Sequence, residues 1–212
     1  MTTTAAILIV LAALAAVIDW WAVHEDRLSV EFIAKPLVII GLIGAALAVD
    51  VSDGVVRGLI VAALGASLVG DVVLMTPDAR FEAGVFAFLV AHVLYIAGFI
   101  EFGNLDAGLG LAALLLIIGL GLGFVPQIMG GARHHGPVIQ FGVAVYIVAV
   151  AGMAMFAAAT REPAAMVGGA LFLASDALLG WNRFVTPAPG GRVLVHGTYH
   201  AGQLGLVLWL AA

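Results

Sequence analysis

The chain has 212 residues, of which 64% are hydrophobic before its 27 glycines are counted, with 10% charged residues and a formal net charge of −5. Soluble domains hold roughly 45–50% apolar residues, glycine included, and roughly 25% charged ones. So few charges cannot cover a water-facing surface, and the composition specifies an integral membrane protein. The chain has no basic tract to hold nucleic acid, and its lack of cysteine excludes disulfides, thiolate nucleophiles and cysteine-ligated metals.

A membrane helix needs about 20 mostly apolar residues. Eight such runs follow one another at 3–23, 34–51, 56–75, 81–102, 108–128, 137–158, 164–184 and 191–211. Residues 1–6 hold no Lys or Arg, which a cleavable signal peptide wants, so the first run is expected as a retained span. Asp50, Asp53 and Gly54 close the second run. Thr76, Pro77 and Asp78 separate the third from the fourth, and Gly103, Asn104 and Asp106 follow the fourth. Gly130 and Gly131, with the stretch 133–137, end the fifth. Arg161, Glu162 and Pro163 end the sixth, and 187–191 end the seventh.

Every connection is short, so a single transmembrane domain over 1–212 is expected: an all-α polytopic bundle of about eight transmembrane helices. A β-barrel fails, because barrel strands alternate apolar and polar over about 10 residues, and these runs are apolar on all sides. Gly41, Gly44, Gly65, Gly119, Gly121, Gly123, Gly168 and Gly169 are expected to permit close helix approach.

Lys and Arg set orientation. Alternate connections hold Arg27, Lys35, Arg80, Arg133, Arg183 and Arg192, against Arg57 and Arg161 on the other side. The richer side is expected to be cytoplasmic, in a cell (inner or plasma) membrane, with both termini outside.

An ionisable residue at the centre of a membrane helix costs about 2.5–3.5 kcal/mol, so it is a functional candidate by default. Asp71, His92, Asp176 and His200 stand out, with Tyr95, Tyr199 and Gln203 beside the histidines. At 1.5 Å rise per residue, Asp71 lies roughly 6 Å and Asp176 roughly 12 Å from one membrane side, and the two histidines roughly 14–17 Å from that same side. Lys35 opens its run there, and Asn182 and Arg183 close theirs. All are expected to line one cavity open to one leaflet. Taken singly, each also reads as a structural polar residue satisfied by a neighbouring backbone.

Spacing adds detail. Asp176 and Arg183 are seven apart and share a helix face. Arg183 either offers a cation near the mouth, to Asp176 or to a phosphate, or snorkels to the headgroups as an anchor. Tyr95 follows His92 by three and shares its face. His196 and His200 are four apart, a spacing that can chelate a metal, but no third ligand presents itself, and no metal or cofactor is expected. His134 and His135 read as headgroup-level residues.

A short internal repeat runs L-x-small-D-x-x-L around Asp71 and again around Asp176. Each Asp is followed, 21 or 24 residues on, by a mid-helix histidine. This suggests two related four-helix halves in parallel orientation, a known device of membrane proteins.

The stretch Gly70-Asp71-Val72-Val73-Leu74-Met75, followed by Phe81, Gly84, Phe88, Ala91-His92 and Leu94-Tyr95, resembles the first signature of the YhhN/TMEM86 family. Gly169-Ala170-Leu171-Phe172, Ser175-Asp176, Leu178-Leu179 and Asn182-Arg183-Phe184 resemble the second. Thr198-Tyr199-His200 with Gln203-Leu204 resembles the third, and Lys35-Pro36 is also similar. The resemblance implies lysoplasmalogenase activity on a lysophospholipid in the bilayer. The vinyl-ether bond is hydrolysed to a fatty aldehyde and glycerophosphocholine or glycerophosphoethanolamine, with two intramembrane aspartates as the catalytic pair.

The chemistry suits the residues. A vinyl ether is protonated at carbon, leaving an oxocarbenium ion that water captures; the hemiacetal then collapses. Two carboxylates supply acid, base and a stabilising negative charge, as in glycosidases. On this reading Asp71 and Asp176 share one proton, His92 and His200 tune or relay protons, and Lys35 and Arg183 meet the phosphate. A proton-coupled transporter of a small or lipid-like solute is the competing reading, since buried Asp and His also serve such relays. A non-catalytic lipid-binding scaffold is a third, though it has no need of two aspartates at depth.

Overall fold

The computed structural model describes residues 1–51, 53–76 and 81–211. Pro77, Asp78 and Arg80, read above as punctuation and as a topology charge, lie outside the described residues. Among those described there is no strand. The helices are α1 (Thr3–His24), α2 (Leu28–Ala48), α3 (Gly54–Met75), α4 (Phe81–Phe102), α5 (Ala107–Gly121), α6 (Val125–Arg133), α7 (Pro137–Ala159), α8 (Pro163–Phe184) and α9 (Gly191–Leu210).

Their starts are written locally. The Thr2 side chain accepts the N–H of Ala5, Asp53 those of Val55 and Val56, and Asp106 that of Leu109. Each satisfies donors that a helix start leaves unpaired. Pro126, Pro137 and Pro163 stand in the first turns of α6, α7 and α8, where a missing N–H costs nothing.

Two expectations need correction. The second helix begins at Leu28 and not at 34. Glu31 lies inside this added stretch, with its charge met by Arg192 at 2.8 Å. Lys35 therefore sits two turns inside α2 instead of opening it. The fifth run is broken: α5 and α6 meet at 58°. The break falls at Gly121-Leu122-Gly123-Phe124, where two poor helix formers flank the bend.

Six described helices are singly long and apolar enough to cross a membrane, and the bent α5–α6 pair makes a seventh. The remaining long helix, α9, has 20 residues but carries Arg192, His196, His200 and Gln203. Protein, not lipid, meets those groups. Eleven of the 20 residues of α9 are buried, against one of 15 in α5. So α9 is the central helix, packed on α8, α1, α2 and α3, while α5 lies at the edge against α7. Large apolar side chains such as Ile7, Leu14, Phe86, Leu115 and Val148 face outward, the pattern lipid requires.

The α8–α9 approach depends on glycine. A Cβ on Gly168 would lie 2.9 Å from the Gly202 carbonyl oxygen and 2.9 Å from the Leu206 nitrogen. Backbone meets backbone there, as in small-residue crossings in lipid. Gly65 and Gly119, by contrast, face open space and pack against nothing.

Candidate active site

Asp71 and Asp176 line one cavity of about 300 Å³ at the end of the bundle where α2 and α9 begin and α3 and α8 finish. Lys35, Tyr199, His196, Glu31 and Arg192 line it with them. Asp71 is fully buried, in an ion pair with Lys35 (Nζ to Oδ1, 3.0 Å). The Tyr199 hydroxyl donates to its Oδ2 at 2.7 Å. Asp176 has a different setting. Its Oδ2 lies 3.0 Å from His92 Nε2 and accepts the Tyr146 hydroxyl at 2.9 Å. No hydrogen bond joins the two aspartates among the described residues, so a directly shared proton gives way to two separately held carboxyls.

The partners cross between the proposed halves. Asp71 on α3 is held by Tyr199 of α9, and Asp176 on α8 by His92 of α4. Neither aspartate bonds the histidine that follows it in sequence.

A second cavity of about 610 Å³, almost wholly apolar, lies among α4, α5, α6, α7 and α8. Leu74, Phe88, Asp176 and Leu179 line both chambers. Asp176 thus stands where a polar chamber meets an apolar one twice its size.

The other sequence candidates divide. Lys35 lines the polar chamber but is spent on Asp71, 8% exposed, instead of standing at the mouth. Asn182 lines the chamber too, while its Oδ1 accepts the Ala188 N–H and so fixes the α8–α9 connection. Arg183 is not there: it is exposed, with its guanidinium 4.9 Å from the Phe81 ring. That is the anchor arrangement. Arg192 is the arginine at the chamber, bonded to Asp26 at 2.9 Å and Glu31 at 2.8 Å. Tyr95 and Gln203 are fully buried and bonded to each other, hydroxyl to Oε1, away from both chambers. His200 is also behind the wall, its Nδ1 accepting the Trp20 indole N–H at 3.1 Å. His196 Nδ1 instead lies 2.7 Å from Asp19. The i, i+4 pair therefore has different hydrogen-bond partners, although Asp19 Oδ2 also lies 3.9 Å from His200 Nδ1, and the ring centroids are 6.0 Å apart. Among the described residues no cluster of three or more potential ligands is placed to hold a metal.

The YhhN family profile matches residues 30–210. The chain belongs to the YhhN family. It is 33% identical over 187 residues to the lysoplasmalogenase TMEM86B of Homo sapiens, an alignment covering 88% of this chain and 78% of that protein. It is 33% identical over 184 residues to the TMEM86B of Sus scrofa, covering 87% and 76%. It is 34% identical over 152 residues to the lysoplasmalogenase TMEM86A of Bos taurus, covering 67% and 60%. No solved structure matches. With these relatives and its apolar helices, this YhhN protein is a multi-pass membrane hydrolase of lipid metabolism.

Sequence reasoning passed over Asp19, Glu31 and Tyr146. Asp19 and Glu31 sit near helix ends, where a charge is unremarked; Asp19 is nevertheless completely buried. For Tyr146 a signal existed. The YhhN chain has three tyrosines, and each hydroxyl donates to an Asp or Gln side chain inside the bundle. In a chain so poor in polar groups, the rare amphipathic ones mark the interior network.

Proposed function

We infer that this protein is a lysoplasmalogenase that hydrolyses the vinyl-ether bond of a lysophospholipid. The observation that carries the reading is the junction of the two chambers at Asp176. An amphiphile with one chain fits it: the glycerophospho end in the polar chamber, the alkenyl chain in the apolar one, and the bond between them beside a carboxyl group. The relatives named lysoplasmalogenase support the same substrate.

In this reading Asp176 is the general acid. Its Oδ2 accepts from Tyr146 and His92, and its Oδ1 has no protein partner among the described residues. As the acid it gives a proton from Oδ1 to the vinyl carbon β to the ether oxygen, as the π pair forms the new C–H bond. Asp71, ion-paired with Lys35, is the group that supplies negative charge to the oxocarbenium ion, where a fixed charge is worth most in a water-poor site. Water adds to the cation, and collapse of the hemiacetal breaks the bond to the glycerol oxygen. The aldehyde leaves by the apolar chamber. Arg192 and Asn182, which line the polar chamber, meet the phosphate in this reading.

Beyond the chamber, where a transport path would run, the buried polar groups among the described residues are few and uncharged, with Tyr95 and Gln203 bonded to each other. Ile60, Leu64, Phe99 and Leu206, all fully buried, fill the bundle on that side. The chamber's end also carries Arg27, Arg133, Arg183 and Arg192, against Arg57 and Arg161 at the other. This supports a chamber opening to the cytoplasm, with both termini outside and the bundle in the plasma (inner) membrane.

The test is aldehyde release from a lysoplasmenyl-ethanolamine or -choline by the purified protein in detergent. Wild type should release aldehyde, and Asp71→Asn and Asp176→Asn, eluting as wild type does, should each lose about 10²–10⁴-fold in kcat. A well-folded wild type that releases none from either headgroup would overturn the reading.

A further inference from the structure

The reaction needs a base as well as an acid, because water adding to the oxocarbenium ion must give up a proton. Asp71 is poorly suited to take it. Both of its oxygens are engaged, Oδ1 by the Lys35 ammonium at 3.0 Å and Oδ2 by the Tyr199 hydroxyl at 2.7 Å. Asp176 has just given its proton away, and in this scheme it is the acceptor for the hemiacetal hydroxyl proton that ends the cycle.

The polar chamber holds one imidazole among its titratable groups, beside Glu31, Lys35, Arg192 and Tyr199. Among the described residues, His196 is the histidine that lines it; His92 stands behind Asp176, and His200 behind Tyr199. His196 Nδ1 lies 2.7 Å from Oδ2 of Asp19, a carboxyl with no exposure at all. Nε2 makes no hydrogen bond among the described residues; its nearest acid is Glu31, 3.8 Å away. An imidazole whose Nδ1–H is fixed by a buried carboxylate presents Nε2 as its lone pair. That is the orienting logic of acid–histidine pairs in hydrolases.

We propose that His196 is the catalytic base of this site and Asp19 its positioning residue. The inference rests on the vinyl-ether reading above. Nε2 takes a proton from water as the oxygen bonds to the oxocarbenium carbon. The resulting imidazolium returns it to the glycerol oxygen as the C–O bond breaks. The hemiacetal hydroxyl proton restores Asp176. One water is consumed, and one aldehyde and one alcohol are formed. Asp19 comes from α1, before the residues that the family profile matches, so the base is oriented by a helix outside the matched segment.

Asp19 from α1, Glu31 from α2 and His200 on its own helix stand against His196, and Lys35 from α2, Asp71 from α3, Asp176 from α8, and Arg192 and Tyr199 on its own helix line the same chamber. An ion pair held only for structure would keep both ring nitrogens protonated. A base needs a neutral ring with the proton on Nδ1.

The experiment measures aldehyde release against pH for wild type, His196→Ala and Asp19→Asn, with imidazole added to the alanine variant. It also records ¹⁵N-histidine NMR of the wild type in detergent at the pH of turnover. Wild type should show a neutral ring with Nδ1–H. His196→Ala should lose about 10²–10³-fold in kcat, lose the acid limb of the pH profile, and recover saturably with imidazole. Asp19→Asn should lower kcat with KM little changed and shift the ring tautomer. If His196→Ala keeps turnover within about threefold of wild type, the proposal falls and the aspartate mechanism stands. If the variants fail to fold, an imidazolium or an Nε2–H ring in the wild type overturns it alone. If folded wild type releases no aldehyde, the vinyl-ether reading fails and takes this proposal with it.

Discussion

The two ends of the bundle use their charges in opposite ways. At the end away from the chambers, acids and bases tie off chain ends. Asp53 caps α3, Asp106 caps α5 and pairs with Arg161, and Arg57 donates to the Val49 carbonyl at 3.2 Å. Arg161 is exposed and the other three are half-buried, and Asp53, Arg57 and Asp106 each serve nearby backbone. At the chamber end the charges are buried and serve one another across helices: Lys35 with Asp71, His92 with Asp176, Asp19 with His196. On the proposed function, the difference separates charges that close a structure from charges held ready for a reaction.

That contrast can be broken by substitution. The largest effect is expected at the acid's support. Tyr146→Phe removes a donor to Asp176, a bond to an ionisable group worth about 1.5–3 kcal/mol. Turnover should fall about 10–100-fold, with the unfolding temperature little changed. If stability fell instead of rate, the chamber end would be structural after all. Gly168→Ala should do the reverse. Forcing a methyl between α8 and α9 should cost about 1–3 kcal/mol, read as a lower unfolding temperature in detergent.

Ala174 lines the apolar chamber, so Ala174→Phe should shorten the chain the enzyme accepts. KM should rise for long alkenyl chains more than for short ones, and an equal rise would place the chain elsewhere. The smallest effect belongs to the far end. Asp106 is held below the ordinary carboxylate range, chiefly by the Leu109 N–H and then by Arg161. Its contribution is therefore present above the unfolded-state pKa and is lost as pH falls through the lower folded value. Asp106→Asn should lower the unfolding temperature slightly at neutral pH. The gap to wild type should close below about pH 4, with aldehyde release unaffected. Arg183→Ala, removing an anchor outside the chamber, should likewise leave turnover unchanged.

The sequence determined the class of the molecule, the helical runs to within a few residues in most cases, and the two aspartates that stand out in apolar surroundings. It could do so because the membrane imposes a length and a composition on each span, and because a charge within one is costly enough to be conspicuous by itself. The α5–α6 break was foreshadowed by the glycines of 119–123, but its 58° angle was not.

Tertiary structure decided what each polar group is for. Lys35 and Arg183 look alike as interfacial cations, yet one is buried on Asp71 and the other lies over Phe81. His92 and His200 look alike as mid-helix histidines, yet one holds a carboxyl and the other an indole. Asp19 and His196 meet across 177 positions of sequence. Hydropathy is a property of one helix at a time and survives in the sequence. Partnership depends on which faces of different helices turn toward each other, and only the packed bundle settles that.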